Sequence, residues 1–261
     1  KHIHFLKYKD VLDDTILDEL NAHIKAHTLI VLNTQAEVSY KLIKHLTHLE
    51  LKGTKYISIE HLLEQYLCKC YIPDDHTDLK FLEDVKAFTL SQYILKRSMD
   101  YLGVFLLFLF SSPVMLTARS KIKKESPGAI FFRQARVGKN GVDFSCTKFR
   151  TMHENSHHDP YTRENDTRIF SFGDTMRRTR IDELPQMWNI LKGEMHLIGP
   201  RAEWNILVEE YEQELPYYNE RHLIAPGITG WAQVNYPYGQ NIHDTKQKLM
   251  YDLYYIKYWS V

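Results

Sequence analysis

Hydrophobic positions follow three different patterns along the chain. Up to about residue 90 they come in short runs. Thr28-Leu-Ile-Val-Leu-Asn33 reads as a strand, and Val38, Leu42, Ile43 and Leu46 then recur at helical spacing behind Thr34 as N-cap. Lys55-Tyr-Ile-Ser-Ile59 reads as a second strand and Glu60 to Leu67 as a second helix. That order predicts a small α/β unit with a parallel sheet. The loop after the first strand reads Asn33-Thr-Gln35 and carries no glycine-rich phosphate fingerprint, so a structural or regulatory role is expected for this part. Tyr71 to Asp78 reads as a linker. Leu79 to Leu95 is expected to lead as a helix into the next segment.

The second pattern is the apolar stretch Met99 to Ala118, long enough to cross a bilayer core. Three features oppose a simple crossing. Asp100 lies near its start, and Pro113 lies inside it after Ser111 and Ser112. Lys96 and Arg97 before it, and Arg119, Lys121, Lys123 and Lys124 after it, put both flanks on the cytoplasmic side. A re-entrant helix that breaks at Ser112 and Pro113 satisfies all three, with Ser112 able to bond a carbonyl that Pro113 leaves free. A single span and a buried core helix are the alternatives.

The third pattern alternates short strands and helices. Gly128 to Gly138 and Asp143 to Met152 read as a hairpin joined by Gly138-Lys-Asn-Gly141. Leu184, Met187, Trp188 and Leu191 mark a helix that starts near Asp182, with Pro185 in its first turn. Leu197-Ile-Gly-Pro-Arg201 is a turn, Ala202 to Tyr218 an amphipathic helix, and Ala225 to Asn235 a loop bearing Trp231 and Gln233. Thr245 to Tyr258 is a helix with Asp252 among tyrosines, suited either to a membrane interface or to a packed core.

Composition narrows the classes. The chain has 261 residues, 44% hydrophobic and 25% charged, with net charge +0, so it is globular and bulk charge points to no nucleic-acid partner. Between Arg119 and Arg150, however, nine basic residues face two acidic ones. Such a block attracts lipid headgroups or a phosphorylated ligand. Cys68, Cys70 and Cys146 lack zinc spacing and read as reduced thiols. The ends, Lys1 and Trp259-Ser-Val261, suggest a piece of a longer chain. His153, His157, His158 and Asp159 have no helical pattern to converge them on a metal, so a solvated loop is expected.

The chemistry concentrates at Asp182 and Glu183. At a helix start the dipole favours anions, and Arg177, Arg178 and Arg180 stand just before. Adjacent carboxylates amid arginines can hold a divalent cation against a phosphate, or supply a nucleophile and an acid/base. A plain capping pair is the competing account. The rigid Gly-Pro turn before Arg201 suits oxyanion binding.

These residues occur in an ordered set: Lys96-Arg97-x2-Asp100, the Ser112-Pro113 break, Phe132 to Gly138, Lys148-Phe-Arg-Thr-Met152, Ile181-Asp-Glu-Leu-Pro-Gln186, Ile198-Gly-Pro-Arg201 and Pro226 to Asn235. From Lys96 onward the chain resembles the bacterial sugar transferase family, the monotopic phosphoglycosyl transferases. The preceding part is similar to the soluble Rossmann-like region of the large members. The resemblance implies an α/β protein, with an accessory domain at 1–90, a re-entrant membrane helix at 91–124 and an α+β catalytic domain at 125–261. It implies transfer of a sugar-1-phosphate from a UDP-sugar to polyprenol (undecaprenyl) phosphate with release of UMP, the first membrane step of bacterial glycan assembly.

By the motif match Asp182 is the nucleophile of a covalent aspartyl-phosphosugar intermediate and Glu183 its partner, with Mg2+ bridging the pair and the diphosphate. Arg177, Arg201 and Lys148 fall at phosphate-binding positions, and Arg136, Asp252 and Gln233 are further site candidates. The inner membrane, with the catalytic domain facing the cytoplasm, is the expected location, and the large members suggest a homodimer. Arg201 is followed by Ala202-Glu203, where many relatives have Pro-Glu or Pro-Leu. A catalytically silent membrane scaffold or nucleotide-sugar-binding module is the first rival reading. A glycoside hydrolase is the second, disfavoured because its carboxyls must face each other across a bond.

Overall fold

The computed structural model describes residues 15–24, 28–33, 39–73, 79–154, 156, 166–237 and 241–259. The chain divides into two compact units, Lys1–Tyr71 and Ile72–Val261, a division that falls ahead of residue 90.

The first unit contains α1 (Thr15–His23), β1 (Leu29–Leu32), α2 (Tyr40–Leu51), β2 (Lys55–Ser58) and α3 (Ile59–Leu67). β1 and β2 pair in parallel, Leu29 opposite Lys55 and Leu32 opposite Ser58, with α2 as the crossover. Leu42 and Leu49 of α2 meet Leu20 of α1 in a small core, joined by Ile16, Leu17, Ile24, Ile30 and Leu46. α2 begins at Ser39, whose side chain accepts from Leu42 N. Thr34 and Val38 lie outside the described residues.

The second unit opens with α4 (Leu79–Asp84) and α5 (Leu90–Glu125). A single helix was expected from Leu79, but Thr89 starts a new one. Its hydroxyl accepts from Gln92 N, and Gln92 Oε1 accepts from Thr89 N at 2.8 Å, a reciprocal cap. α5 continues through Ser112 and Pro113. The expected break does not interrupt the helix, because Ser112 Oγ donates at 3.3 Å to the Leu109 carbonyl, the one an N–H at position 113 would have met, and so makes up for the bond Pro113 cannot form.

β3 (Phe131–Val137) and β4 (Asp143–Phe149) form an antiparallel hairpin around a tight turn at Lys139–Gly141, where Asn140 and Gly141 both take positive φ. α6 (Ser171–Thr179) leads into a 3-10 turn, Ile181–Gln186, and then into α7 (Met187–Lys192). β5 (His196–Ile198), α8 (Asn205–Glu214), a 3-10 turn at Tyr218–Leu223, β6 (Gly227–Thr229), α9 (Trp231–Asn235) and α10 (Ile242–Lys257) follow. α8 is shorter than its apolar spacing predicted, because Trp204 caps it and Leu215-Pro216 ends it. β6 runs parallel to β5.

The whole is a mixed helix-and-strand protein in which α5 runs through two cores of the second unit. Val104 packs with Phe144, Cys146, Met187, Ile190 and Met195, while Ala118 and Ile122 pack with Phe149, Phe170 and Met176. Asp100 ties α5 to β5. Its carboxylate takes His196 Nδ1 at 2.5 Å and Leu197 N at 3.0 Å, with Lys96 and Arg97 at 3.4 and 3.5 Å. Arg97 also donates to the Met195 and Ile190 carbonyls.

Candidate active site

α6 ends at Arg180, whose φ of 59° and ψ of 15° lie in the left-handed region. That reversal sends the chain directly into the turn Ile181–Gln186. Asp182 and Glu183 therefore stand in a 3-10 turn ahead of α7 and do not cap an α-helix as the spacing predicted; α7 has Gln186 at its N-cap and no side-chain cap bond. Asn189 pins this turn and α7 to β4. Its Nδ2 donates to Ser145 O at 2.8 Å and its Oδ1 accepts from Thr147 N at 3.1 Å. Lys148, next along β4, is thereby aimed at the acids.

The two adjacent carboxyls are both buried but treated differently. Glu183 Oε1 accepts from Lys148 Nζ at 2.7 Å, with Arg201 at 3.7 Å and Arg180 at 3.8 Å. Asp182 Oδ1 is buried and meets no hydrogen-bond donor. Burial pushes the Asp182 carboxyl above its ordinary range and the Glu183 charge adds to this, while Lys148, Arg177 and Arg180 pull down without overcoming it. Burial also opposes charge on Glu183, but Lys148, Arg201 and Arg180 outweigh it and hold that carboxyl below its usual range. Opposed environments on two neighbouring carboxyls are how sites assign separate roles.

Arg201 arrives by a tight backbone crossing. A Cβ on Gly227 would stand 2.1 Å from Gly199 N, and one on Gly230 would stand 2.1 Å from Gly199 O. Glycine at these positions lets β5 and β6 approach closely enough for Gly199 N to donate to Thr229 O and Gly227 N to Pro200 O. Arg201, Lys148, Arg136 and Gln186 line one cleft with Cys146 and Met195. Arg177 stands on the other flank, its Nε donating to Thr151 Oγ1 at 3.1 Å.

The structure thus brings Lys148, Arg177, Asp182, Glu183 and Arg201 together, with Arg136 on the cleft wall. Asp252 and Gln233 have other partners. Asp252 is buried in an ion pair with Arg221 at 2.9 Å, and Gln233 donates to the Ile228 carbonyl. Leu249, Leu253 and Ile256 of α10 are buried, so one face of that helix is core. Ser112 and Pro113 lie in α5. His153 is exposed, His157 to Asp159 lie outside the described residues, and among the described residues no three His, Cys, Asp or Glu converge as metal ligands. Sequence reasoning missed Asn189 and Arg221, since a partner across strands or 31 residues away leaves no local periodic signal.

A family model described as "Bacterial sugar transferase" matches residues 91–261, the whole acid-and-arginine cluster and nearly all of α5. The chain belongs to the bacterial sugar transferase family. The chain is 45% identical over 169 residues to a UDP-N-acetylgalactosamine-undecaprenyl-phosphate N-acetylgalactosaminephosphotransferase of Aeromonas hydrophila, covering 64% of this chain and 40% of that protein. It is 42% identical over 154 residues to a UDP-glucose:undecaprenyl-phosphate glucose-1-phosphate transferase of Xanthomonas campestris, covering 57% and 32%. An undecaprenyl-phosphate galactose phosphotransferase of Salmonella typhimurium is 31% identical over 260 residues, covering 88% of this chain and 53% of that protein. The chain therefore spans less than two thirds of the length of these relatives.

Proposed function

We propose that this chain transfers a sugar-1-phosphate from a UDP-sugar to polyprenol phosphate with release of UMP. One observation carries the reading: Asp182 keeps a buried oxygen unbonded beside a Glu183 held by three cations. Asp182 attacks the phosphorus that bears the sugar, the bond to UMP breaks, and UMP leaves. An oxygen of the polyprenol phosphate then attacks the same phosphorus, and the Asp182 carboxylate is released with polyprenyl diphosphosugar. Lys148, Arg177 and Arg201 offset the repulsion between a carboxylate and a diphosphate.

The donor set fits Mg2+. That ion takes one or two carboxylates and completes its sphere from substrate phosphates and water, and the free Asp182 oxygen with Glu183 offers such a pair. Bound there, Mg2+ would neutralise charge developing on the diphosphate.

α5 is the one helix among the described residues long and apolar enough to cross a membrane. We place it in the cytoplasmic face of the inner membrane as a re-entrant element. Its two ends pack on one polar unit, Asp100 on His196 and Leu197, and Ile122 in the core of Phe149 and Met176. Between them Phe105, Phe108, Leu109 and Phe110 are exposed. A span would put those ends in different compartments. In a cysteine-free background, Ser91→Cys and Lys124→Cys should both be labelled from the cytoplasmic side only; labelling on opposite sides would sink the re-entrant placement.

The reaction is tested by UMP release from a panel of UDP-sugars with Mg2+ and polyprenol phosphate, wild type beside Asp182→Asn. Release confined to one donor and abolished in the variant is expected. Full release from Asp182→Asn would remove the nucleophile assignment.

A further inference from the structure

Four consecutive carbonyls around Arg201 are each taken by a donor, two from the segment 221–227 and two from the end of β3. Pro200 O accepts from Gly227 N at 2.8 Å, Arg201 O from Arg221 Nη2 at 2.8 Å, Ala202 O from Arg136 Nη1 at 3.0 Å and Glu203 O from Val137 N at 3.1 Å. A side chain reaches only where its peptide planes aim it, and here the planes on both sides of Arg201 are fixed.

The donor to Arg201 itself is unusual. Arg221 is 5% exposed, deeper than the residue it holds. The same Nη2 donates to Asp252 Oδ2 at 2.9 Å, and Nη1 donates to the Tyr218 hydroxyl at 2.6 Å. Asp252 and Tyr218 are each 2% exposed. Burial lifts the Asp252 carboxyl to about 6 against the pull of Arg221. A buried pair of this kind adds little stability over a well-packed apolar replacement, so stability does not account for it. It does supply a charged, forked donor at a fixed point behind Arg201, already neutralised by Asp252 so that it does not compete for phosphate.

We propose that Arg221 is a positioning residue for Arg201, held by Asp252 and Tyr218 and acting through the Arg201 carbonyl. The inference rests on the proposed function, in which Arg201 binds substrate phosphate. It gives Asp252 a role two bonds removed from the chemistry, although the residue never reaches the cleft. Lysine at 221 keeps the charge but loses the fork, so it cannot serve both Asp252 and the carbonyl with the same geometry.

The test is a cycle of Arg221→Lys, Arg201→Ala and the double variant, on the full chain in detergent. Arg221→Lys should lower UMP release about tenfold to a hundredfold, the scale of a small misplacement of a binding group. In the Arg201→Ala background the same change should cost less than about twofold, because its effect runs through a side chain already gone. Equal losses in both backgrounds would overturn the proposal. Amide exchange supplies a second readout independent of turnover. In Arg221→Lys, and in Asp252→Asn should the lysine variant not fold, exchange should quicken in the segment 199–203 and stay unchanged in α6. Unchanged exchange at 199–203 would also overturn it. A wild type with no UMP release would defeat the reaction assignment and leave the exchange result to decide the positioning role.

Discussion

Asp100 and Asp182 are both aspartates buried among basic residues, and the protein uses them in opposite ways. Asp100 is fully buried, and both its oxygens are engaged: by His196, the Leu197 amide, Lys96 and Arg97. Asp182 is nearly as buried, with Lys148, Arg177 and Arg180 acting on its charge, yet Oδ1 receives no hydrogen bond. A buried polar atom without a partner costs about 1–3 kcal/mol. One aspartate is satisfied and holds α5 to β5; the other keeps a buried oxygen without a hydrogen bond. Burial beside cations therefore does not by itself mark a functional acid. What separates the two aspartates is the Asp182 oxygen that receives no hydrogen bond.

The largest expected effect breaks the pair along that line. Asp182→Asn should cut UMP release by about 10^4-fold or more, as loss of a covalent nucleophile does, while the melting temperature holds or rises. Asp100→Ala should do the reverse. It strands Lys96 and Arg97 in a buried site, which costs about 3–5 kcal/mol, a fall of about 10 °C for a unit of this size. Release per folded molecule should remain. Thermal unfolding followed with activity on the same samples separates the two, and a stable Asp100→Ala would show that the cluster does not anchor the helix.

The hairpin and the acid cluster were legible in the sequence, whereas the anchoring of Asp100 by His196 and Leu197 was not, and the reasons are a matter of range. Alternation around Gly138-Lys-Asn-Gly141 set the hairpin because turn chemistry acts within four residues. Asp182, Glu183 and Arg201 stood out because acids and arginines cluster within short segments. The left-handed Arg180 was not legible, since its φ belongs to the junction of two helices rather than to arginine. Nor was Thr89, whose cap with Gln92 interrupts what apolar spacing alone joined. Pairing of Arg221 with Asp252 depends on how the turn at Tyr218–Leu223 packs on α10, which no short-range pattern encodes.

A smaller effect sharpens the electrostatic half of the comparison. Lys148 lowers the proton affinity of both acids. Lys148→Gln should raise both, and since the proposed reaction needs Asp182 deprotonated, the acidic limb of the pH–rate profile should move to higher pH. Release at neutral pH should fall about tenfold, the equivalent of one lost charge-assisted hydrogen bond. An unmoved limb would mean that another group sets it.

The smallest effect concerns strain. Arg180 holds a left-handed conformation at the junction that turns Asp182 and Glu183 inward, and an L-residue there costs about 1 kcal/mol relative to glycine. Its guanidinium is 61% exposed and 3.8 Å from Glu183, a pair worth at most about 1 kcal/mol after screening. The two terms are similar in size and opposite in sign for stability. Arg180→Gly relieves the backbone and loses the pair, so the melting temperature should hold or rise by up to about 4 °C. The same change removes one of three cations from Glu183, so release should fall about two- to fivefold. A gain in stability with a loss in rate would mean that the acid site tolerates backbone strain to keep a charge in place, a burden for which the Asp100 anchor has no counterpart. A fall in both would show that the Arg180 side chain, rather than its backbone, governs the junction.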